Sequence, residues 1–273
     1  MDIFQAIVLG IIQGISAWIP VSSKTQVLLF GTLLYNLPFN DLLAFAIIVH
    51  IGDLIASIYL FRQELFIMLF IRPDVEDLKN FSSLSEDKRL FYFMIISLFF
   101  TAIVALPLYL SVKDSFSELT GTTFLAVVGL IMLVMSAIMY FSKAQTGNKE
   151  LNLKTTIFTG LAQGLAVLPG ISRSGITESA LLLSNIDQVR AVRLSFIMSI
   201  PMIALAILGF NFIDGFNLSF PVILVGIIAS TISAYLMMSF MLELAKKIKF
   251  YYFTLIIGII ALLPFLIKAL IGL

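Results

Sequence analysis

One phrase occurs twice in this chain: GIIQGISAWIPVSSKT over Gly10–Thr25, and GLAQGLAVLPGISRSGIT over Gly160–Thr177. Each is an apolar run of helix length, broken by proline and followed by hydroxyls and a cation. Proline removes a helix donor and glycine relaxes the backbone. Each copy therefore predicts two short helices with an irregular joint instead of one long helix. The surroundings make that prediction constraining. Apolar residues are 60% of the chain and charged residues 12%, with a mean hydropathy of +1.08, whereas soluble domains carry about 25% charged residues. The chain reads as an all-α polytopic membrane protein. Irregular backbone survives at membrane depth only when it is buried in protein or lines a watery cavity. Broken helices at matching places in two halves point to a binding site near the bilayer midplane.

Apart from the motif runs, six segments are long enough to cross a hydrocarbon core of ~30 Å: 42–62, 90–111, 122–142, 191–213, 219–242 and 250–271. The motif runs, 3–19 with 26–37 and 156–168 with 176–186, are read as two re-entrant helix pairs. The hydrophilic stretch 62–89 is read as a solvated loop. Loops rich in Lys and Arg mark the inner face. The 62–89 loop, the 142–156 connection with Lys143, Lys149 and Lys154, and the 243–249 loop with Lys246, Lys247 and Lys249 are cationic; 112–121 holds only Lys113, and 214–218 holds none. This alternation puts both termini outside and gives the two copies inverted topology. The expected repeats are 1–112, with its re-entrant pair in 1–37, and 113–273, with a connecting helix and its pair in 156–186.

The formal net charge of +1 says nothing about partners, since distribution matters more than the sum; no basic face for nucleic acid is present in the sequence, and the absence of cysteine excludes disulfides and thiolate metal sites. No cationic residue precedes Lys24, so the N-terminus does not read as a removable signal peptide. The half-helix N-termini and cations converge on one region, and helix N-termini favour anions, phosphate above all.

PVSS at Pro20–Ser23 and PGISRSGIT at Pro169–Thr177, each preceded by GxxQG, resemble the signatures of the bacterial undecaprenyl-diphosphate phosphatase family associated with bacitracin resistance. The likeness continues through FAIIVHIG at Phe45–Gly52, SFIMSIP at Ser195–Pro201 and the stretch Val225–Leu262. The resemblance implies a cell-membrane enzyme that removes the terminal phosphate from a polyprenyl diphosphate lipid, promoted by Mg²⁺ or Ca²⁺, with its active site opening to the extracytoplasmic side. It implies roles at the diphosphate for the first-motif serines Ser22 and Ser23, with Ser23 as nucleophile, and for Ser172, Arg173, Ser174 and Thr177 of the second motif. Membrane lipids and a second copy of the chain are the other candidate partners. The chemistry of the residues agrees: Arg offers a planar, permanently charged fork for phosphate oxygens, and a serine in line with phosphorus can attack it if a base takes its proton.

The chain departs from that family at three positions. Gln13 stands for a carboxylate, Ala17 for the first-motif glutamate and Gln26 for the histidine after the serines. His50 is the single histidine, and Asp53 lies one helical turn from it; Glu178 directly follows Thr177. An ionisable group at membrane depth is a functional hypothesis by default. One reading has His50, Asp53 and Glu178 replacing the missing base and metal ligands. The other has the two acids neutralising Arg173 or Lys24, and His50 bonding a neighbouring helix. Gln13 and Lys24 complete the candidate substrate contacts, Gln13 and its counterpart Gln163 being equally suited to bridging unwound backbone. No metal ligand set is assigned. A transporter of polyprenyl phosphate or another anionic lipid, using the same anion cradle without hydrolysis, is the alternative function.

Overall fold

The computed structural model describes residues 1–19, 23–112, 121–141, 150–168, 171–208 and 217–271. Pro20, Ser22, Lys113, Lys143, Lys149, Pro169 and Gly170 of the expectations above lie outside them. The described residues are helical throughout, with α1 (Ile3–Ser16), α2 (Ser23–Tyr35), α3 (Phe39–Ile48), α4 (His50–Leu60), α5 (Arg62–Met68), α6 (Val75–Lys79), α7 (Glu86–Val112), α8 (Gly121–Phe141), α9 (Leu153–Gly164), α10 (Arg173–Leu183), α11 (Gln188–Leu208), α12 (Phe220–Lys247) and α13 (Phe250–Ile271). Short 3₁₀ turns occupy Phe81–Ser83 and Leu165–Val167. Phe39–Leu60, Glu86–Ser111, Gln188–Leu208 and Phe220–Lys247 are long and apolar enough to cross a membrane. With α8 and α13 they match the six expected segments, and the protein is an all-α polytopic membrane protein.

Both motif runs are split as expected. In the first, α1 opens on a capping box: Asp2 Oδ1 accepts from the Gln5 amide at 2.8 Å, and the Gln5 side chain accepts from the Asp2 amide at 2.9 Å. The helix stops at Ser16, and α2 restarts at Ser23. In the second, Asn152 caps α9, which ends at Gly164, and α10 restarts at Arg173 behind the N-cap Ser172. Ser23 and Lys24 of the first motif, and Arg173 with Ser172 and Ser174 of the second, therefore sit at the N-terminus of a second half-helix.

Two expectations are refined. The segment expected to span 42–62 unbroken is two helices that meet at Val49. His50 Nδ1 lies 2.5 Å from the Ala46 carbonyl, the group that a regular helix would pair with the His50 amide. The 62–89 stretch carries α5, α6 and a 3₁₀ turn in place of a plain solvated loop. Its anchor is Asp77, which accepts from Lys88 Nζ at 2.9 Å and from the Tyr92 hydroxyl at 2.9 Å. The bond from Lys88, reinforced by that from Tyr92, holds the Asp77 carboxyl below its ordinary range.

By contact the chain forms two compact units. One comprises Met1–Leu65 and Phe196–Glu243; the other comprises Phe66–Ser195 and Leu244–Leu273. In the first, Ala6, Leu9, Val27, Leu42, Phe45 and Val49 form a fully buried core, and Trp18 packs edge-on to Phe196 with ring centroids 4.9 Å apart. The glycines of GxxQG seat α1 directly on α12: a Cβ on Gly10 would stand 2.6 Å from the Gly226 carbonyl oxygen, and one on Gly14 would stand 2.1 Å from Ser233 Oγ. The second unit repeats the device. A Cβ on Gly160 would lie 2.5 Å from the Ser97 carbonyl oxygen of α7, and one on Gly164 would meet Val104 at 2.5 Å. In lipid, where apolar burial does not drive helices together, such close backbone approach is the main source of packing.

Candidate active site

Once α1 is pressed onto α12 by its glycines, Gln13 points away from that seam and is fully buried. Its amide nitrogen is a hub. It lies 2.9 Å from Asp53 Oδ2, 3.2 Å from Ser23 Oγ, and 3.2 and 3.3 Å from the two ring nitrogens of His50. Ser230 Oγ donates to the other Asp53 oxygen at 3.0 Å. Ser23 of α2 and His50 and Asp53 of α4 thus meet on one side chain. An amide nitrogen carries two protons. The short bond to the Asp53 carboxylate takes one, and Ser23 and His50 contest the other. With its Nδ1 proton given to Ala46, His50 presents Nε2 as a proton acceptor. Gln13 Oε1 is buried and finds no donor among the described residues. It is an acceptor waiting for a hydroxyl, a water or a protonated phosphate oxygen.

In the other unit, Arg173 opens α10 and is half-buried, flanked by the buried Ser172 and Ser174, whose hydroxyl oxygens are 3.1 Å apart. Ser172 Oγ caps the helix at the Gly175 amide, and Ser195 Oγ donates to the Ser174 carbonyl at 3.4 Å. Guanidinium, hydroxyls and a helix N-terminus are all groups suited to an anion. The Thr177 hydroxyl is buried within the helix packing, 2.8 Å from the Arg173 carbonyl and 3.3 Å from Gln163 Oε1. Gln163 completes the lock by donating to Thr101 Oγ1 at 3.2 Å. The two equivalent glutamines therefore differ: both ends of Gln163 are bonded, whereas Gln13 keeps an unused acceptor. Lys24 is exposed at the start of α2. Glu178 is 2% exposed, and no described residue gives it a hydrogen bond or an ion pair.

The family model for bacitracin resistance protein BacA matches residues 6–263. The chain belongs to the BacA family. Among its curated relatives are three archaeal proteins named undecaprenyl-diphosphatase. That of Methanococcoides burtonii is 34% identical over 96% of this chain and 98% of its own length. That of Saccharolobus solfataricus is 35% identical over 96% and 95% respectively. That of Korarchaeum cryptofilum is 32% identical over 95% and 98%.

BacA membership raises the question of a divalent cation. Around Gln13 there is one carboxylate, Asp53, and both its oxygens already accept hydrogen bonds. Among the described residues no three His, Cys, Asp or Glu side chains stand together. Mg²⁺ and Ca²⁺ need several oxygen ligands, so these residues do not form a protein cage for such an ion. Sequence reasoning missed Ser230, which completes the Asp53 carboxylate, and Thr101, which locks Gln163. The signal for Ser230 was present in α12 as small residues at helical spacing, Gly226, Ser230 and Ser233, matching Gly10 and Gly14 of α1.

Proposed function

We propose that this protein is a membrane phosphatase that converts undecaprenyl diphosphate to the monophosphate and inorganic phosphate. Two lines support the reading: the names of its BacA relatives, and the convergence of Ser23, His50 and Asp53 on Gln13. That convergence is the observation that carries it. Ser23 Oγ attacks the terminal phosphorus; the bond from that phosphorus to the bridging oxygen breaks, and its electron pair leaves on the lipid monophosphate. The serine proton passes to His50 Nε2. Asp53, fixed by Gln13 and Ser230, balances the imidazolium, and water then releases phosphate from the seryl ester. Arg173, with Ser172 and Ser174, is a phosphate-binding group of this enzyme, its planar fork matching two phosphate oxygens. Ser22 and Lys24, neighbours of Ser23 in the first motif, contact phosphate oxygens beside it, and Glu178 serves as a second proton carrier.

The charge pattern of the loops supports a place in the cell membrane with both termini outside and Ser23 accessible from that side. The relatives' names are those of an enzyme and lend nothing to the transporter alternative. The test is phosphate release from undecaprenyl diphosphate by purified protein, with Ser23→Ala and His50→Gln alongside. The wild type should turn over, and each variant should lose about 10²–10⁴-fold in rate while still binding substrate. A wild type that releases no phosphate would sink the proposal.

A further inference from the structure

Between Asp2 and Asp41 the chain carries no Asp, Glu or His, and between Glu150 and Asp187 it carries only Glu178. Neither α1, α2 nor the joint between them can therefore bring a carboxylate to the Gln13 hub. The carboxylate there is that of Asp53 on α4, fully buried. Its two oxygens accept from Gln13 Nε2 at 2.9 Å and from Ser230 Oγ at 3.0 Å. A carboxylate oxygen at 2.9 Å fixes which end of the Gln13 amide is nitrogen, because the reverse orientation would set oxygen against oxygen. The end turned to Asp53, Ser23 and His50 is thus the one that carries protons. A cation entering the hub would have to displace the Gln13 and Ser230 protons from Asp53. Of the Gln13 and Asp53 oxygens, Gln13 Oε1 alone has no donor among the described residues. Mg²⁺ takes about six oxygen ligands and Ca²⁺ about six to eight, so one neutral carbonyl leaves nearly all of them to water. Ala17, one helical turn beyond Gln13, adds only a methyl to that face of α1.

We infer that this site takes no divalent cation and that phosphate release by this protein uses none, against the expectation of Mg²⁺ or Ca²⁺ that the family resemblance raises. The inference rests on the phosphatase reading. It goes further by assigning the ion's work to groups of the chain itself. A bound ion neutralises phosphate oxygens and activates the nucleophile. Here the permanent charge of Arg173 and the ammonium of Lys24 serve the first task, and His50 Nε2 serves the second by taking the Ser23 proton. The manner in which Asp53 is held then matters. Hydrogen bonds from Gln13 and Ser230 fix the carboxylate and leave its negative charge in place for the imidazolium that this proton transfer makes. A divalent ion on the same oxygens would cancel that charge.

The test is phosphate release from undecaprenyl diphosphate by purified protein in EDTA, and again with Mg²⁺ or Ca²⁺ in excess of the chelator. The three rates should agree within about twofold. A reaction that used the ion would lose about a hundredfold or more in EDTA, since stabilisation of charge by a metal amounts to several factors of ten. Such a loss, recovered on adding either ion, overturns the inference. Binding is read separately, by the electron paramagnetic resonance of added Mn²⁺ and by the thermal midpoint with and without Ca²⁺. The wild type should leave Mn²⁺ free and keep its midpoint, because an ion bound to the folded state would raise it. A Mn²⁺ held by the wild type and displaced by Ca²⁺ overturns the inference. Gln13→Glu, alone and with Ala17→Glu, puts a carboxylate where Asp53 now meets a proton. Two carboxylates that close cannot both ionise without a cation between them, so these variants should gain Mn²⁺ binding and a midpoint that rises with Ca²⁺. Folded variants that gain neither overturn the assignment of the exclusion to the Gln13 protons; if the variants do not fold, the wild-type measurements decide. If the wild type releases no phosphate under any condition, the phosphatase reading fails, and Mn²⁺ binding alone decides whether the site takes an ion.

Discussion

Replacing Gln13 by methionine keeps the volume and unbranched shape of the side chain but removes the donor on which Asp53, Ser23 and His50 meet. Asp53 loses the 2.9 Å bond to Oδ2 and keeps the bond from Ser230 on Oδ1. A hydrogen bond to a charged group contributes about 1.5–3 kcal/mol, and a neutral one about 1 kcal/mol. Since 1.4 kcal/mol is about a factor of ten, loss of the Asp53 bond alone predicts a fall of roughly 10–150-fold in whatever depends on that carboxylate being held. If Asp53 acts through His50, kcat for phosphate release carries the loss. KM should move little, because Arg173 and its hydroxyls bind the diphosphate. The comparison is with Gln163→Met. Gln163 occupies the equivalent place in the second copy, but both ends of its amide are spent on helix packing, so its loss should lower the thermal midpoint more than kcat. The assay is steady-state phosphate release in detergent, paired with a thermal melt of each variant. If folded Gln13→Met retains kcat within twofold of the wild type, the hub is structural, and the assignment of His50 and Asp53 to the reaction is wrong.

Arg173→Ala should weaken substrate binding at least tenfold, with Arg173→Lys between it and the wild type, because a point charge cannot replace a bidentate fork; equilibrium binding of a labelled polyprenyl diphosphate measures this, and unchanged affinity would make Arg173 structural. Gly14→Ala puts a methyl 2.1 Å from Ser233 Oγ and 2.5 Å from the Ser230 carbonyl oxygen, so α12 must back away; overpacking of this kind costs about 1–3 kcal/mol, and both the thermal midpoint and activity should drop, whereas a wild-type melt would show that the seam is loose. Asp53→Asn and Glu178→Gln should each lower the rate of phosphate release without loss of binding, and a Glu178→Gln enzyme of wild-type rate would remove Glu178 from the mechanism. The Asp77 carboxyl is held below its ordinary value by Lys88, so its bond stabilises the 72–85 segment at neutral pH and is lost as pH falls through the lowered value; hydrogen exchange in this segment should rise in acid, and Asp77→Asn should exchange fast at neutral pH and lose that acid dependence.

The membrane and the two broken helices were legible from the chain itself, because each is set by local chemistry. Apolar length decides which segments can cross a bilayer. Proline removes a helix donor from each motif, although α7 and α11 run on through Pro107 and Pro201. A hydroxyl, a cation and a fresh helix start at Ser172–Ser174 are groups suited to an anion. That His50 and Asp53 face the same way was also readable, since three residues apart on a helix means one face. What sequence could not decide is which of two equivalent glutamines has chemistry to do. Gln13 and Gln163 sit in the same GxxQG frame, and only packing distinguishes them. Around Gln163 the groups brought by α7 and α10 are Thr101 and Thr177, which satisfy it; around Gln13 the groups brought by α2 and α4 are Ser23, His50 and Asp53, which leave its carbonyl oxygen waiting. The break at Val49 and the contribution of Ser230 were hidden for the same reason. Both depend on how closely Gly52 lets α4 approach α12, where a Cβ would stand 2.6 Å from the Ile227 carbonyl oxygen. Such contacts join residues about 177 positions apart. No local pattern records them, because they exist only once glycine has let two backbones touch.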